Sequence, residues 1–303
     1  MLIEDFDYYK KHKNLVTNEY GMDTANACMF GKEWWLKYPN QNILYQFNSQ
    51  GFRDKEFKVD EKVNLCIGDS AVTNIGGPQN QSWPVHLESL SGKRCVNLGL
   101  VGAGNDAIVL LAERAVKYFN VDKIFVMFSF LNRYMRLSEK TGRYKFCSDS
   151  VDHQANVEYF ITNFNKLQKI DVDFYFTFIR NTSYSPDESA FLNEYKTKTN
   201  YVSYTEFPNQ PLYSEHQQRV DQNRKYYTDK EKYNIFRSHE WPTYNQWIKG
   251  AKPHPDMYTI QFGNILNPFS FSEQLPRYFN RDGWHFADYA NLNIAKNFFT
   301  KIA

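Results

Sequence analysis

Short, nearly continuous apolar runs punctuate the chain between residues 63 and 179, and stretches with apolar residues at helical spacing separate them. VNLCIG (Val63–Gly68), KRCVNLG (Lys93–Gly99), DKIFVMFSF (Asp122–Phe130) and DVDFYFTFI (Asp171–Ile179) are the runs. Apolar runs without polar alternation suit strands of a parallel sheet covered on both faces. DAIVLLAERAVKYF (Asp106–Phe119) and HQANVEYFITNFNKLQKI (His153–Ile170) carry the helical spacing, with Asn105 placed as N-cap of the first. Strand and helix alternation of this kind predicts a doubly wound three-layer α/β/α sandwich, with its site at the carboxyl ends of the strands.

After Arg180 the pattern breaks. Residues 181–255 are polar, Tyr-rich and poorly periodic. A structureless loop of that length is improbable inside a compact domain, so the stretch reads as an insertion with its own partial structure, a lid or cap. MYTIQF (Met257–Phe262) is expected to be a fifth strand of a mostly parallel sheet, and ADYANLNIAKNFFTKIA a closing helix. Residues 1–62 read as an extension packed on the main domain, which spans 63–303.

Composition narrows the partners. A formal net charge of +2 gives no electrostatic signature of nucleic-acid or anionic-membrane binding. No apolar run is long enough to span a bilayer, and the first residues, MLIEDFDYYKKHKN, lack a signal-peptide core. Cys28, Cys66, Cys95 and Cys147 form no CxxC, which suits free thiols in a reducing compartment. The expected location is therefore the cytoplasm, or a phage particle. Aromatic residues reach 17%, which fits either a surface that stacks on sugar-like ligands or an AT-rich coding sequence.

The chemistry centres on NLCIGDSAVTN, Asn64 to Asn74. Ser70 follows a strand directly, so it is either a nucleophile or a helix cap, and Asp69 could cap equally well. Nucleophilic serine needs a base, a group orienting that base, and oxyanion donors. RDGWHF supplies Asp282 and His285 three apart, a spacing that can set a carboxylate against the imidazole and leave Nε2 for the serine. In isolation the same spacing describes a capping Asp beside a surface His. The G-x-S-x-G elbow of α/β-hydrolases is absent, since Val72 stands where its second Gly would be. The remaining histidines have no metal-ligand spacing, and no metal or cofactor is expected.

Taken in order, Gly68-Asp69-Ser70, Val96–Gly102, Phe130-Leu131-Asn132-Arg133 and Asp282-Gly283-Trp284-His285 resemble the blocks of the SGNH (GDSL-like) hydrolase family. FNSQGFRDKEF (Phe47–Phe57) is similar to a segment that precedes the serine in some of its members. The resemblance runs from about Phe47 to the C-terminus, leaving out the insertion. It implies a flavodoxin-like five-stranded core, a Ser70–His285–Asp282 triad, and an oxyanion hole of Ser70 N–H, Gly102 N–H and the Asn132 amide. Ala71 replaces the usual Leu or Phe, and Phe130 and Arg133 replace the usual Gly and Asp around Asn132. Gly104-Asn105-Asp106 imitates the third block but follows the wrong strand. Asp69, Arg133 and Trp284 are the candidates for contacts to substrate.

The resemblance implies a serine ester hydrolase for short acyl esters, with an O-acetylated carbohydrate as the expected substrate. Two other readings stay open. One is a non-catalytic binding or structural module of the same fold, as in a phage particle or a polysaccharide-modification assembly. The other is an O-acyltransferase with the same triad. Oligomeric state cannot be read from the sequence.

Overall fold

In the computed structural model the described residues are 2–18, 43–148, 152–179, 186–204 and 286–303. Among them, α1 (Asp7–His12), β1 (Val16–Thr17) and β2 (Tyr45–Gln46) form the N-terminal part. The central part comprises β3 (Lys62–Gly68), α2 (Ser70–Thr73), α3 (Trp83–Ser91), β4 (Cys95–Gly99), α4 (Asn105–Tyr118) and β5 (Asn120–Phe128). It continues through β6 (Tyr134–Ser138), β7 (Arg143–Cys147), α5 (His153–Leu167), β8 (Phe174–Phe178), α6 (Pro186–Tyr195) and α7 (Asp288–Ile302).

Among the described residues the main sheet has four strands in the order β4-β3-β5-β8, all parallel. Successive side chains point to opposite faces, so each apolar run serves two cores. Val63, Leu65 and Ile67 of β3 join Ile124, Val126 and Phe128 of β5 in one buried cluster with α4 and α5. Cys66, Phe125 and Met127 face the other way, onto Trp83 and Leu87 of α3 and onto Ala290, Ile294 and Phe298 of α7. The result is an α/β fold with helices on both faces of a parallel sheet, as the alternation predicts. The expected fifth strand, Met257–Phe262, lies outside the described residues.

The chain leaves β3 to one side for β4 and returns to the other side for β5. That reversal makes the carboxyl ends of β3 and β5 the topological switch point, the usual place for a ligand in such sheets. The free edge of β4 is blunted by side chains. Glu88 accepts from the Cys95 N–H at 2.9 Å and Asp54 from the Asn97 N–H at 2.7 Å, with Arg94 bonded to both carboxylates. Unpaired strand donors are thereby closed to another chain.

Several features depart from the hydrophobic pattern. Residues 186–204, inside the stretch read as an insertion, pack on the core. Leu192 and Tyr195 of α6 belong to the large buried cluster. Val202 N–H donates to Phe176 O at 2.8 Å, so the outer edge of β8 is occupied by 200–202. The remainder of that stretch, 205–255, lies outside the described residues. Leu2, Ile3, Phe6 and Tyr8 of the N-terminal part join the same cluster, and Arg114 clamps Asp5 with two bonds of 2.7 and 2.8 Å. Many aromatic side chains are core rather than ligand surface. Phe128 meets Phe160 edge-on at 5.0 Å and Phe164 meets Phe176 at 5.1 Å, the geometry that ring quadrupoles favour. Among the described residues no helix is long and apolar enough to cross a membrane.

Candidate active site

Strand β3 ends at Gly68, and Asp69 then leaves the strand to become the N-cap of α2. Its Oδ1 accepts from Ala71 N–H at 3.0 Å, which satisfies a donor of the first helical turn. Ser70 is the first helical residue, 7% exposed, at the carboxyl end of a central strand. The capping role that competes with nucleophilic chemistry thus falls to Asp69. Among the described residues no hydrogen-bond partner engages Ser70 Oγ.

Asp69 is fully buried, and its second oxygen accepts from Ser129 Oγ at 2.8 Å and Arg133 Nη1 at 2.7 Å. Both carboxylate oxygens, expected to meet substrate, are engaged within the protein, where they orient the turn. Arg133 is expected to meet an anionic substrate group, yet Nη1 is committed to Asp69 and Ser129, and its guanidinium lies 4.8 Å over the Phe130 ring. A buried carboxylate needs such a counter-charge, because burial without one is strongly unfavourable.

Ser129 is itself held by Asn105. The Asn105 Oδ1 accepts from Ser129 N–H at 2.8 Å, and its Nδ2 donates to Ser129 O at 3.2 Å. Asn105 is therefore not the N-cap of α4. Gly104 takes that position, and the Asn105 side chain turns into the sheet instead, 2% exposed. The one-residue offset follows from crowding: a Cβ on Gly104 would lie 2.5 Å from Arg133 O and 2.6 Å from Tyr134 Cα. Only glycine lets the loop after β4 approach the loop after β5 this closely.

Gly102 sits in the turn that follows β4, with φ of +83°, a conformation glycine adopts without strain. The turn is closed by Ala103 N–H to Leu100 O at 3.0 Å, and Leu100 N–H donates to Gly68 O at 2.9 Å. Asn132 lies in the turn after β5, which Arg133 N–H to Phe130 O closes at 3.2 Å. Asn132 is half-buried, and its Nδ2 donates at the surface to Ser148 O, just past β7, at 3.5 Å. Ser70, Gly102 and Asn132 therefore stand on loops at the carboxyl ends of adjacent strands β3, β4 and β5. Asp282, Trp284 and His285 lie outside the described residues.

The support beneath Ser70 is where sequence reading is least informative. Asn74 ends α2 in the left-handed conformation, φ of 59°, and its N–H donates to Ser70 O. Arg53 is 1% exposed and distributes its guanidinium over backbone carbonyls: Nη1 to Asn74 at 2.5 Å and Thr73 at 3.2 Å, Nη2 to Gly77 at 2.9 Å and Leu44 at 3.1 Å. Asn48 shapes the turn that delivers Arg53, its Oδ1 accepting from Gln50 and Phe52 N–H at 3.0 Å each. The Gly-Phe-Arg segment was the only signal in the chain for this brace.

Other nucleophile candidates lie elsewhere. Cys66 is buried within the sheet, where desolvation pushes its thiol well above the ordinary range, so it is inert. Among the described residues no group of three or more His, Cys, Asp or Glu side chains could hold a metal ion. No family model matches the chain, and a search of curated proteins likewise finds no match.

Proposed function

We propose that this chain is a serine ester hydrolase of the SGNH type, acting on short acyl esters and most readily on an O-acetylated carbohydrate. The observation that carries the reading is the division of labour at the end of β3. Asp69 caps the helix, and Ser70 stands at the carboxyl end of β3, where the strand order reverses. In the proposed reaction Ser70 Oγ attacks the ester carbonyl while His285 takes its proton. His285 then returns that proton to the leaving alcohol, and Asp282 holds the imidazole and stabilises its cation. The Ser70 and Gly102 N–H groups and the Asn132 amide would receive the oxyanion, each donor being worth about 100- to 1000-fold in rate. Water completes the cycle by attacking the acyl-enzyme. The finer fold that belongs to this reading is the five-stranded flavodoxin-like core with Met257–Phe262 as its fifth strand.

One observation favours a second reading. The Asn132 amide lies within 3.5 Å of Ser148 O, a contact that competes with an oxyanion role and suits a non-catalytic module. Hydrolysis of p-nitrophenyl acetate, butyrate and octanoate by wild type and Ser70→Ala separates the two, with acetylated xylan in parallel. The esterase gives acetate turnover that vanishes in the variant. A folded wild-type protein without Ser70-dependent turnover, of ester or of added sugar acceptor, is the module.

A further inference from the structure

Phe286 follows His285 directly in the chain and is buried at 2% exposure, its ring edge-on to Tyr204 at 5.7 Å. Five residues on, Asn291 of α7 is completely buried. Its Nδ2 donates twice: to Phe286 O at 2.8 Å and to Asn74 Oδ1 at 3.1 Å. Asn74 in turn gives its N–H to Ser70 O and its Nδ2 to Pro78 O at 2.7 Å, while its own carbonyl accepts from Arg53 at 2.5 Å. A continuous line of buried hydrogen bonds thus joins residues more than two hundred positions apart, from the helix carrying Ser70 to the entrance of α7. Near that entrance, Asp288 Oδ1 also lies 2.8 Å from His86 Nε2 of α3.

We propose that Asn74 and Asn291 are positioning residues of the esterase site, tying the helix that carries Ser70 to Phe286, the neighbour of His285 in the chain. The inference rests on the proposed esterase reading for its catalytic consequence and on the observed hydrogen bonds for the tie itself. Consecutive Cα atoms are about 3.8 Å apart, so fixing Phe286 confines His285 to one virtual bond from a fixed point. A displacement of about 1 Å between reacting groups can cost about 100-fold in rate. Asn291 is costly to bury, its Oδ1 having no hydrogen-bond partner among the described residues, so the two bonds of its Nδ2 are what hold it in place.

The test uses three variants and two readouts. Asn291→Leu removes both donors at similar volume. Asn74→Gly keeps the left-handed backbone and removes the acceptor, whereas Asn74→Asp keeps an oxygen facing Asn291. Kinetics on p-nitrophenyl acetate and amide exchange of a peptide spanning Arg281 to Asn291 are measured well below the melting temperature. Phe164→Leu, on the far face of the sheet, serves as a destabilised control. The expected result is a kcat loss of about 10- to 100-fold for Asn74→Gly and Asn291→Leu with KM within about 3-fold. Partial recovery is expected in Asn74→Asp, together with a double variant no worse than either single one. Exchange of the 281–291 peptide accelerates in the same variants and not in the control. Asn74→Gly with kcat and exchange both at control values overturns the proposal. Accelerated exchange in a protein without Ser70-dependent turnover overturns the esterase reading instead, so the two failures are told apart.

Discussion

The four-residue helix α2 is held at its two ends by opposite means. At the front, Asp69 and Arg133 form a buried ion pair with Ser129 between them. At the back, the buried Arg53 guanidinium donates to the carbonyl groups of Leu44, Thr73, Asn74 and Gly77 and lies 4.3 Å over the Tyr45 ring. The front lock depends on one counter-ion, and removing either partner strands a charge. The back lock is spread over neutral dipoles and a ring face. A helix this short has little stability of its own, because nucleating a helix costs more than so few backbone bonds return. Ser70 is therefore placed by its surroundings, and the two ends should fail differently when broken.

The largest effect is expected at the back. Arg53→Ala leaves buried carbonyls without donors and a cavity beneath Tyr45. At about 1–3 kcal/mol for each stranded polar group, the loss should approach the whole stability of a typical domain. Urea unfolding of the variant should show a midpoint near zero denaturant, or no folded baseline. Retention of most of the wild-type midpoint would mean that water replaces the guanidinium. Arg133→Ala comes next, because it leaves the Asp69 carboxylate buried and unpaired, at a cost of about 3–5 kcal/mol. Asp69→Asn in the same background should recover part of this by removing the stranded charge, whereas no Asn substitution can rescue Arg53→Ala. That contrast in rescue is the sharpest separation of the two ends.

Gly104→Ala probes the front lock indirectly, by driving a methyl group into the Arg133 backbone. Overpacking of this kind typically costs about 1–3 kcal/mol, and here it should also displace the Ser129 and Arg133 partners of Asp69. Thermal unfolding together with the rate of Ser70 labelling would reveal both effects. The smallest effect belongs to the back and depends on pH. His12, stacked on Tyr8 and 5.0 Å from Phe47, has its pKa lowered by burial from 6.5 to about 4. Between those values the unfolded chain binds a proton that the folded chain refuses, so stability falls as pH drops through 6.5 and levels off below about 4. One unit below the unfolded pKa the loss is about 1 kcal/mol, and His12→Phe should abolish that slope. Denaturation midpoints at pH 7.5 and 5.5 measure it directly.

The strands and long helices were legible because each rests on a local, repetitive signal. β4 and β8 fall inside the apolar runs and β3 and β5 begin one and two residues before theirs, while α5 and α7 fall inside the helical stretches and α4 begins one residue before its own. α3 is too short for a clear periodicity, although Ser82, Pro84 and Gly92 mark its ends in the expected way. The β6–β7 hairpin is short and half-polar, and its turn at Gly142 has φ of +62°, so neither strand stands out from a loop. At the site, the sequence narrowed the cap to Ser70 or Asp69, and the choice depended on Ser129 and Arg133, sixty or more residues away. The cap of α4 falls on Gly104, one position before Asn105, because the close approach of Gly104 to Arg133 is invisible along the chain. The Gly-Phe-Arg segment marks Arg53 but not its carbonyl partners, and the Asn74–Asn291 tie has no local signature, since these partners are set by tertiary folding.

The central claim is that Ser70 is an activated nucleophile, and covalent labelling tests it most directly. The folded protein is incubated with a fluorophosphonate probe and the adduct is mapped by peptide mass spectrometry, with Ser70→Ala alongside. The account predicts a single adduct on the peptide containing Ser70, absent from the variant. A folded wild-type protein that stays unlabelled, or that carries the label on another residue, would contradict it.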